Sequence, residues 1–283
     1  MRSERFLGSP HGTLLACSVG FIAAGLSVLA LLQVREAVQD IQVVANKTGF
    51  EQLLEADTPR INEHIDQRIA AFVQREKQAH IDEKYMAFEQ APENTQSGNH
   101  FYGAETAPFT LVVFSDLECP YCKRYHGVPK AVVDAARNAV NWQWKHLPLP
   151  MHNPMATQEA QAAECVASIA GNRAFWVFLQ EVFEKTEGNG RGAGDLVELA
   201  EDIGVDRDAF VKCRDNGEYR QRIASDVKSA QDMGVTSTPM TYVVNNRTGQ
   251  YIVLGGVVTA EEIVTTLTRM AKQPGPVDHG DNE

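Results

Sequence analysis

The sequence predicts an α/β domain built on a mixed sheet that is interrupted by a long helical insertion. Three observations lead there. The first is FTLVVFS (109–115), a continuous apolar and β-branched run of the kind a strand buried on both faces requires. The second is the succession after it: a helical pattern (Val128, Val132, Ala135, Ala136) and then a further strand signal, VNWQWKH (140–146). The third is a pair of short strand signals near the C-terminus, TYVVN and YIVLGG, flanking the turn signal NRTG. The order strand, helix, strand, helical block, hairpin, helix excludes a helical bundle and a β-sandwich.

Taken from the N-terminus, residues 1–12 form a short leader that carries Arg2 and Arg5. Residues 13–34 (TLLACSVGFIAAGLSVLALLQV) contain no formal charge and are long enough to cross a hydrocarbon core of about 30 Å. The arginines before this run, and the acidic stretch that opens after Arg35, place the N-terminus in the cytoplasm and the remainder outside it. A cleaved signal peptide is the rival, but the apolar run continues through LALLQVREA without a strong cleavage site. An uncleaved transmembrane anchor is therefore expected.

Residues 35–100 form a polar, mostly helical spacer and linker. Ile61, Ile65, Ile69, Phe72 and Val73 make one apolar stripe at helical spacing, and QREKQAH (74–80) breaks it. A sustained coiled coil is not supported, which leaves a spacer or an arm for homo-oligomerisation through residues 36–90. APENTQSGNH (91–100) has linker composition.

The globular domain is expected over 101–272. After the second strand, LPLPMHNP is a proline-rich loop, and a helical insertion follows over about 155–233. Within it Ala162, Cys165, Val166 and Ile169 share one face, and Phe175, Phe178, Leu179 and Val182 another. GNGRGAG (188–194) lacks the lysine and strand of a phosphate loop and reads as a linker. Thr259 and Glu262 have the spacing of a capping box at the start of the last helix. The tail 273–283 has disordered composition.

The net charge of the 283-residue chain is −11, with no basic block to track phosphates, so nucleic acid is excluded as a partner. Of the five cysteines, Cys17 falls in the anchor, which leaves Cys119, Cys122, Cys165 and Cys213 on the far side, where disulfides persist.

The chemistry concentrates in FSDLECPYCKRYH (114–126). At a strand-to-helix junction Cys119 falls at the helix N-cap and Cys122 within the first turn. Unpaired backbone N–H groups and the positive end of the helix dipole then face the Cys119 sulfur and favour its thiolate, the nucleophilic form. Pro120 suits the first helical position, where no N–H is needed. Asp116 and Glu118 lie close enough that their charge is expected to oppose this effect. His126 follows Cys122 by one turn and is a candidate for tuning the dithiol, as are Tyr121 and Glu118. Cys119, Cys122 and His126 could supply three metal ligands, but structural zinc usually takes four, often as two close pairs, and no second close pair exists. The reading calls for no metal and no cofactor.

Residues 101–272 resemble the DsbA-like branch of the thioredoxin superfamily, the DsbA/DsbG/ScsC-type extracytoplasmic thiol–disulfide oxidoreductases. The resemblance rests on GAETAPFTLVVFSDLECPYCKRYH, on AAECVAS and FVKCRDNGEY in the insertion, and on GVTSTPMTYVVN. It implies a thioredoxin fold with a helical insertion, here preceded by the transmembrane helix and helical spacer. It also implies Cys119 as the exposed attacking cysteine, Cys122 as the resolving one, and Thr238-Pro239 as a cis-proline loop facing them. Relatives sometimes join cysteines at the positions of Cys165 and Cys213, so a structural disulfide there is implied as well. The implied partners are cysteine-containing substrate proteins and a membrane redox partner that recycles the dithiol. The implied location is the bacterial inner membrane, with the domain in the periplasm. Val113 stands where many thioredoxin-fold proteins carry a buried acid, so a proton relay through that position has no carboxylate here. Whether the dithiol oxidises, isomerises or reduces is left open by the motif. A glutaredoxin would also carry CPYC, but not the anchor or the insertion. A non-catalytic holdase or assembly factor on the same fold is the alternative from another class.

Overall fold

The computed structural model describes residues 32–40 and 58–272. Most of the expected anchor, Cys17, residues 41–57 and the tail from 273 lie outside the described residues. Among the described residues no helix is long and apolar enough to cross a membrane. The chain divides into two compact units, up to His80 and from Ile81. In the first, residues 32–40 form a helix, α1, and α2 (Thr58–Met86) begins. Ile61 and Val73 of its apolar stripe remain exposed.

The second unit is organised around β2 (Phe109–Ser115), whose apolar run places it at the centre of a five-stranded sheet. β3 (Val140–His146) pairs parallel to it, from Phe109 opposite Val140 to Ser115 opposite His146. The crossover between them carries α3 (Pro120–Tyr125) and α4 (Gly127–Ala136). On the other side β4 (Met240–Asn245) runs antiparallel to β2, and β5 (Tyr251–Gly255) closes the hairpin as an edge. A two-residue strand that the sequence did not signal, β1 (Phe101–Tyr102), pairs with the outer side of β3.

This register positions the site. Phe114 of β2 lies opposite Met240 of β4, so the chain leaving β2 and the chain entering β4 meet at one end of the sheet. Cys119 follows the first and Thr238-Pro239 precedes the second.

The insertion comprises α5 (Met155–Lys185), α6 (Leu196–Glu201), α7 (Arg207–Asn216) and α8 (Arg220–Asp232). The two faces predicted for α5 belong to two helical segments that meet at Gly171, which is non-helical at φ 89 and ψ 174. A Cβ at this glycine would come within 2.9 Å of the Glu93 carbonyl, so only glycine admits that backbone. Glu93 accepts the Asn172 N–H at 2.8 Å, and Asn172 Nδ2 donates to the Pro92 and Phe101 carbonyls. The stretch 91–100, expected to be a linker, is therefore bound down on α5. Its polar composition concealed this because the bonds are made by its backbone carbonyls. Phe88 and Ala91 are already core residues ahead of Phe101.

Trp142 and Trp144 of β3 and Trp176 of α5 are buried together, with Trp142 and Trp176 4.4 Å apart. At roughly 200 Å² per ring and about 25 cal/mol per Å², each contributes on the order of 5 kcal/mol before ordering costs. Cys165 of α5 and Cys213 of α7 are disulfide-bonded, their Cα atoms 5.9 Å apart. At the start of α9 (Ala260–Lys272), the Thr259 N–H donates to Glu262 and the Glu262 N–H to the Thr259 hydroxyl, a closed capping box.

Candidate active site

Cys119 is the N-cap of α3, with extended backbone (φ −83, ψ 119), and Pro120 follows at the helix start. The polypeptide reaches it from β2 by a turn in which the Cys119 N–H donates to the Asp116 carbonyl at 3.1 Å. The Cys119 sulfur lies 3.6 Å from the Thr238 carbonyl, at the end of the cis Thr238-Pro239 bond. Cys122 sits one turn into the helix, its sulfur 3.5 Å from the Asp116 N–H. The structure thus brings Cys119, Cys122, Thr238 and Pro239 together. Pro120 and the exposed Tyr121 adjoin them, with Arg124 stacked over the Tyr121 ring.

The two thiols are electrostatically unlike. Hydrogen bonding from the Cys122 thiol, then from Thr238 and from the backbone N–H groups of Cys122 and Tyr121, lowers the Cys119 pKa to about 5 against the opposing effect of burial. Burial first, and then the adjacent Cys119, push the Cys122 thiol well above its ordinary value. One sulfur is set as thiolate, the other as thiol. The Thr238 hydroxyl, buried and otherwise without a partner, favours the thiolate.

Three expectations need correction. Cys119 is not exposed: 4% of it is accessible, its sulfur set against Thr238 at the edge of a pocket lined by Pro120, Tyr121, Thr186 and Gly188. Asp116 and Glu118 do not hold the Cys119 pKa up, because both carboxyls are turned onto partners of their own. Asp116 accepts from the Leu149 N–H at 2.8 Å and contacts His152 Nδ1 at 2.7 Å; Glu118 pairs with the Thr186 hydroxyl and accepts the Gly192 N–H at 3.0 Å. His126 is no charged neighbour of the dithiol. Its ring lies among Trp142, Trp144 and Phe183, with neither nitrogen hydrogen-bonded, and burial lowers its pKa to about 3. Among the described residues no three His, Cys, Asp or Glu side chains are placed to share a metal ion.

Sequence reasoning missed several residues of the surround. His152 lay inside a proline-rich loop, Glu159 and Thr186 in the helical block, and 188–194 was read as a linker. Instead the Asn189 N–H donates to the Glu118 carbonyl at 2.7 Å, and a Cβ at Gly188 would stand 3.2 Å from Pro120. The run of positive φ at Gly188, Asn189, Gly190, Gly192 and Gly194 is the available signal: such a glycine series permits a close backbone approach.

A family model described as Thioredoxin matches residues 95–252, more than half of the chain. The chain belongs to the thioredoxin family. Within it the resemblance to the DsbA-like branch holds. The crystal structure of Pseudomonas aeruginosa DsbA2 is 32% identical, with a TM-score of 0.56 over 62% of this chain and 96% of that one. BdbD from Bacillus subtilis, at 23% identity and a TM-score of 0.53 over 65% of this chain and 98% of its own, shares the fold. Among curated proteins, the Na(+)/H(+) antiporter NhaA 3 of Salinispora tropica is 35% identical over 150 residues, 53% of this chain and 22% of the antiporter. The NhaA antiporter of Herminiimonas arsenicoxydans is 29% identical over 53% of this chain and 23% of its own length. The chain spans about a quarter of the length of the antiporters it matches, so the likeness concerns one segment of them.

Proposed function

We propose that this chain is a protein thiol–disulfide oxidoreductase acting through Cys119 and Cys122, held on the outer face of the bacterial inner membrane by residues 13–34. The observation that carries the reading is the split between the two thiols. A thiolate-favouring Cys119 at a helix start lies beside a backbone carbonyl, with a thiol-favouring Cys122 behind it.

The oxidising direction fits this split best. In the oxidised protein a substrate thiolate attacks the Cys119 sulfur, the Cys119–Cys122 bond breaks, and Cys122 leaves with the electron pair and takes up a proton. A second substrate thiolate then attacks the substrate sulfur of the mixed disulfide. Cys119 departs as thiolate, and the substrate leaves with a disulfide, two electrons poorer. A leaving thiolate with a pKa of about 5 departs readily, and its stability favours the reduced enzyme. A membrane-bound oxidant would return the dithiol to the disulfide. The Thr238 backbone offers the edge along which an extended cysteine-containing segment would lie.

The test is refolding of a reduced, unfolded disulfide protein by the oxidised full-length chain, wild type against Cys119→Ser, together with trapping of the thiol state in cells. Rapid product oxidation by the wild type only, and a pair found mostly oxidised, are expected. Equal yields from both proteins would replace this reading with a non-catalytic binding factor, and a pair found mostly reduced would reverse the direction.

A further inference from the structure

The loop running from Thr186 to Ala193 begins at the pocket that Cys119 shares with Pro120, Tyr121, Thr186 and Gly188, and what fixes this loop is a pair of buried carboxyls. Glu118, immediately before Cys119, meets the Thr186 hydroxyl with Oε1 and accepts the Gly192 N–H with Oε2 at 3.0 Å. Glu159, on α5, accepts the next N–H of the loop, that of Ala193, with Oε1 at 2.9 Å. Both glutamates are completely buried; no donor faces Glu159 Oε2, and the Glu118 carboxyl adjoins that of Glu159. Among the described residues neither pairs with a cation. The nearby Lys123 ammonium is directed to the Thr186 and Glu184 carbonyls, His152 is taken up by Asp116, and Arg191 pairs with the exposed Glu187.

Two adjacent buried carboxyls without a cation do not both ionise, since a shared proton removes the repulsion. We propose that Glu118 and Glu159 share one proton, and that this carboxyl–carboxylate pair clamps the 186–193 loop beside Cys119, making both glutamates positioning residues for thiol–disulfide exchange. The inference rests on the functional reading above for its purpose, but not for its geometry.

In the clamped state Glu159 holds the proton on Oε2 and donates it to the Glu118 carboxyl. Burial and the charges of Glu118 and Asp116 raise the Glu159 pKa to about 9. Above that value the proton goes to solvent base and two like charges face each other beneath consecutive N–H groups of one loop. The loop can respond because its glycines permit backbone conformations closed to other residues. Release of the loop widens the pocket beside Cys119.

The experiment is alkylation of Cys119 by neutral iodoacetamide between pH 6 and 10, in the reduced full-length chain carrying Cys122→Ser so that a single active-site thiol reacts. Once Cys119 is fully thiolate, its rate should stay level to about pH 8. It should then rise at least about threefold, a second step centred near the pKa of the pair. In the same background Glu159→Gln, which retains a donor towards Glu118 and cannot ionise, should stay level to pH 10. Glu118→Gln, which removes the other charge, should do the same. A second step that persists in both variants, or a parent protein without one, overturns the inference. A purely structural role for Glu159 would shift the rate at every pH and leave the profile's shape alone. Since alkylation needs no exchange activity, a chain that alkylates as described and yet oxidises no substrate would retire the functional reading and keep the clamp.

Discussion

Replacing Cys122 with alanine should raise the Cys119 pKa by about one to two units. The hydrogen bond from the Cys122 thiol is the largest of the effects that hold the Cys119 pKa at about 5. A hydrogen bond to a charged group is worth about 1.5–3 kcal/mol, and one pKa unit corresponds to about 1.4 kcal/mol. Wild-type Cys119 is then about 90% thiolate at pH 6, and the variant about a tenth to a half. The Tyr121 and Cys122 backbone N–H groups and Thr238 remain, so the value stays well below that of a free cysteine. Thiolate absorbance at 240 nm, or the pH dependence of alkylation, reads the midpoint directly. Cys122→Ser keeps a hydroxyl donor and should move it less. A midpoint unchanged or lowered in the alanine variant would show that the helix N-terminus and the Thr238 loop alone stabilise the thiolate. The same depressed pKa stabilises the reduced fold. That contribution is complete above the unfolded-state value near 9 and is lost as pH falls through about 5, so reduced and oxidised forms should converge in stability on acidification.

Replacing both Cys165 and Cys213 with alanine opens a link across 48 residues, which in the chain-entropy account costs about 4 kcal/mol. Urea denaturation measures it, and a loss below about 1 kcal/mol would mean that the unfolded chain is already confined there. His126→Phe fills the same aromatic cage without a buried imidazole. The wild type loses stability as pH drops from 6.5 towards about 3, since the unfolded chain takes up the proton first; the variant should lose less between pH 7 and 5 and leave the Cys119 midpoint in place. Thermal melts at the two pH values decide this, and a steeper acid loss in the variant would refute it. Burial alone would raise the Glu164 pKa, but His100 and His146 bond to it and bring it well below the carboxylate range. Glu164→Gln should therefore be destabilised at pH 7, by an amount that shrinks as pH falls below the ordinary value of about 4.5, where the unfolded wild-type chain takes up the proton first.

The elements that could be read from the residues are those whose side chains alone decide the structure. FTLVVFS has no polar face and becomes the central strand, and Thr259 with Glu262 closes a helix start through its own side chains. The position of Cys119 at the helix N-cap follows from a strand run, a proline and the return of helical spacing. What composition hides is structure made by backbone groups. GNGRGAG and APENTQSGNH both have linker composition, yet each is tied to the domain through N–H or C=O groups that every residue carries. Glu118 and Glu159 are far apart in sequence and met only because the fold brings both to consecutive N–H groups of one loop. The break in α5 at Gly171 was equally hidden, since apolar spacing continues on both sides of it. That Thr238-Pro239 faces the dithiol came from family resemblance; the strand register explains it but could not be written down beforehand.

The Cys165–Cys213 bond has a consequence for the molecule's own history. Its sulfurs are sealed between two helices of the insertion, in residues 1% and 8% accessible. Once made, it is out of reach of a thiol approaching from solvent. Each copy therefore needs an oxidant while it is still folding. On the oxidising reading proposed above, older copies would supply it, and maturation of a newly made chain would lag wherever they are scarce.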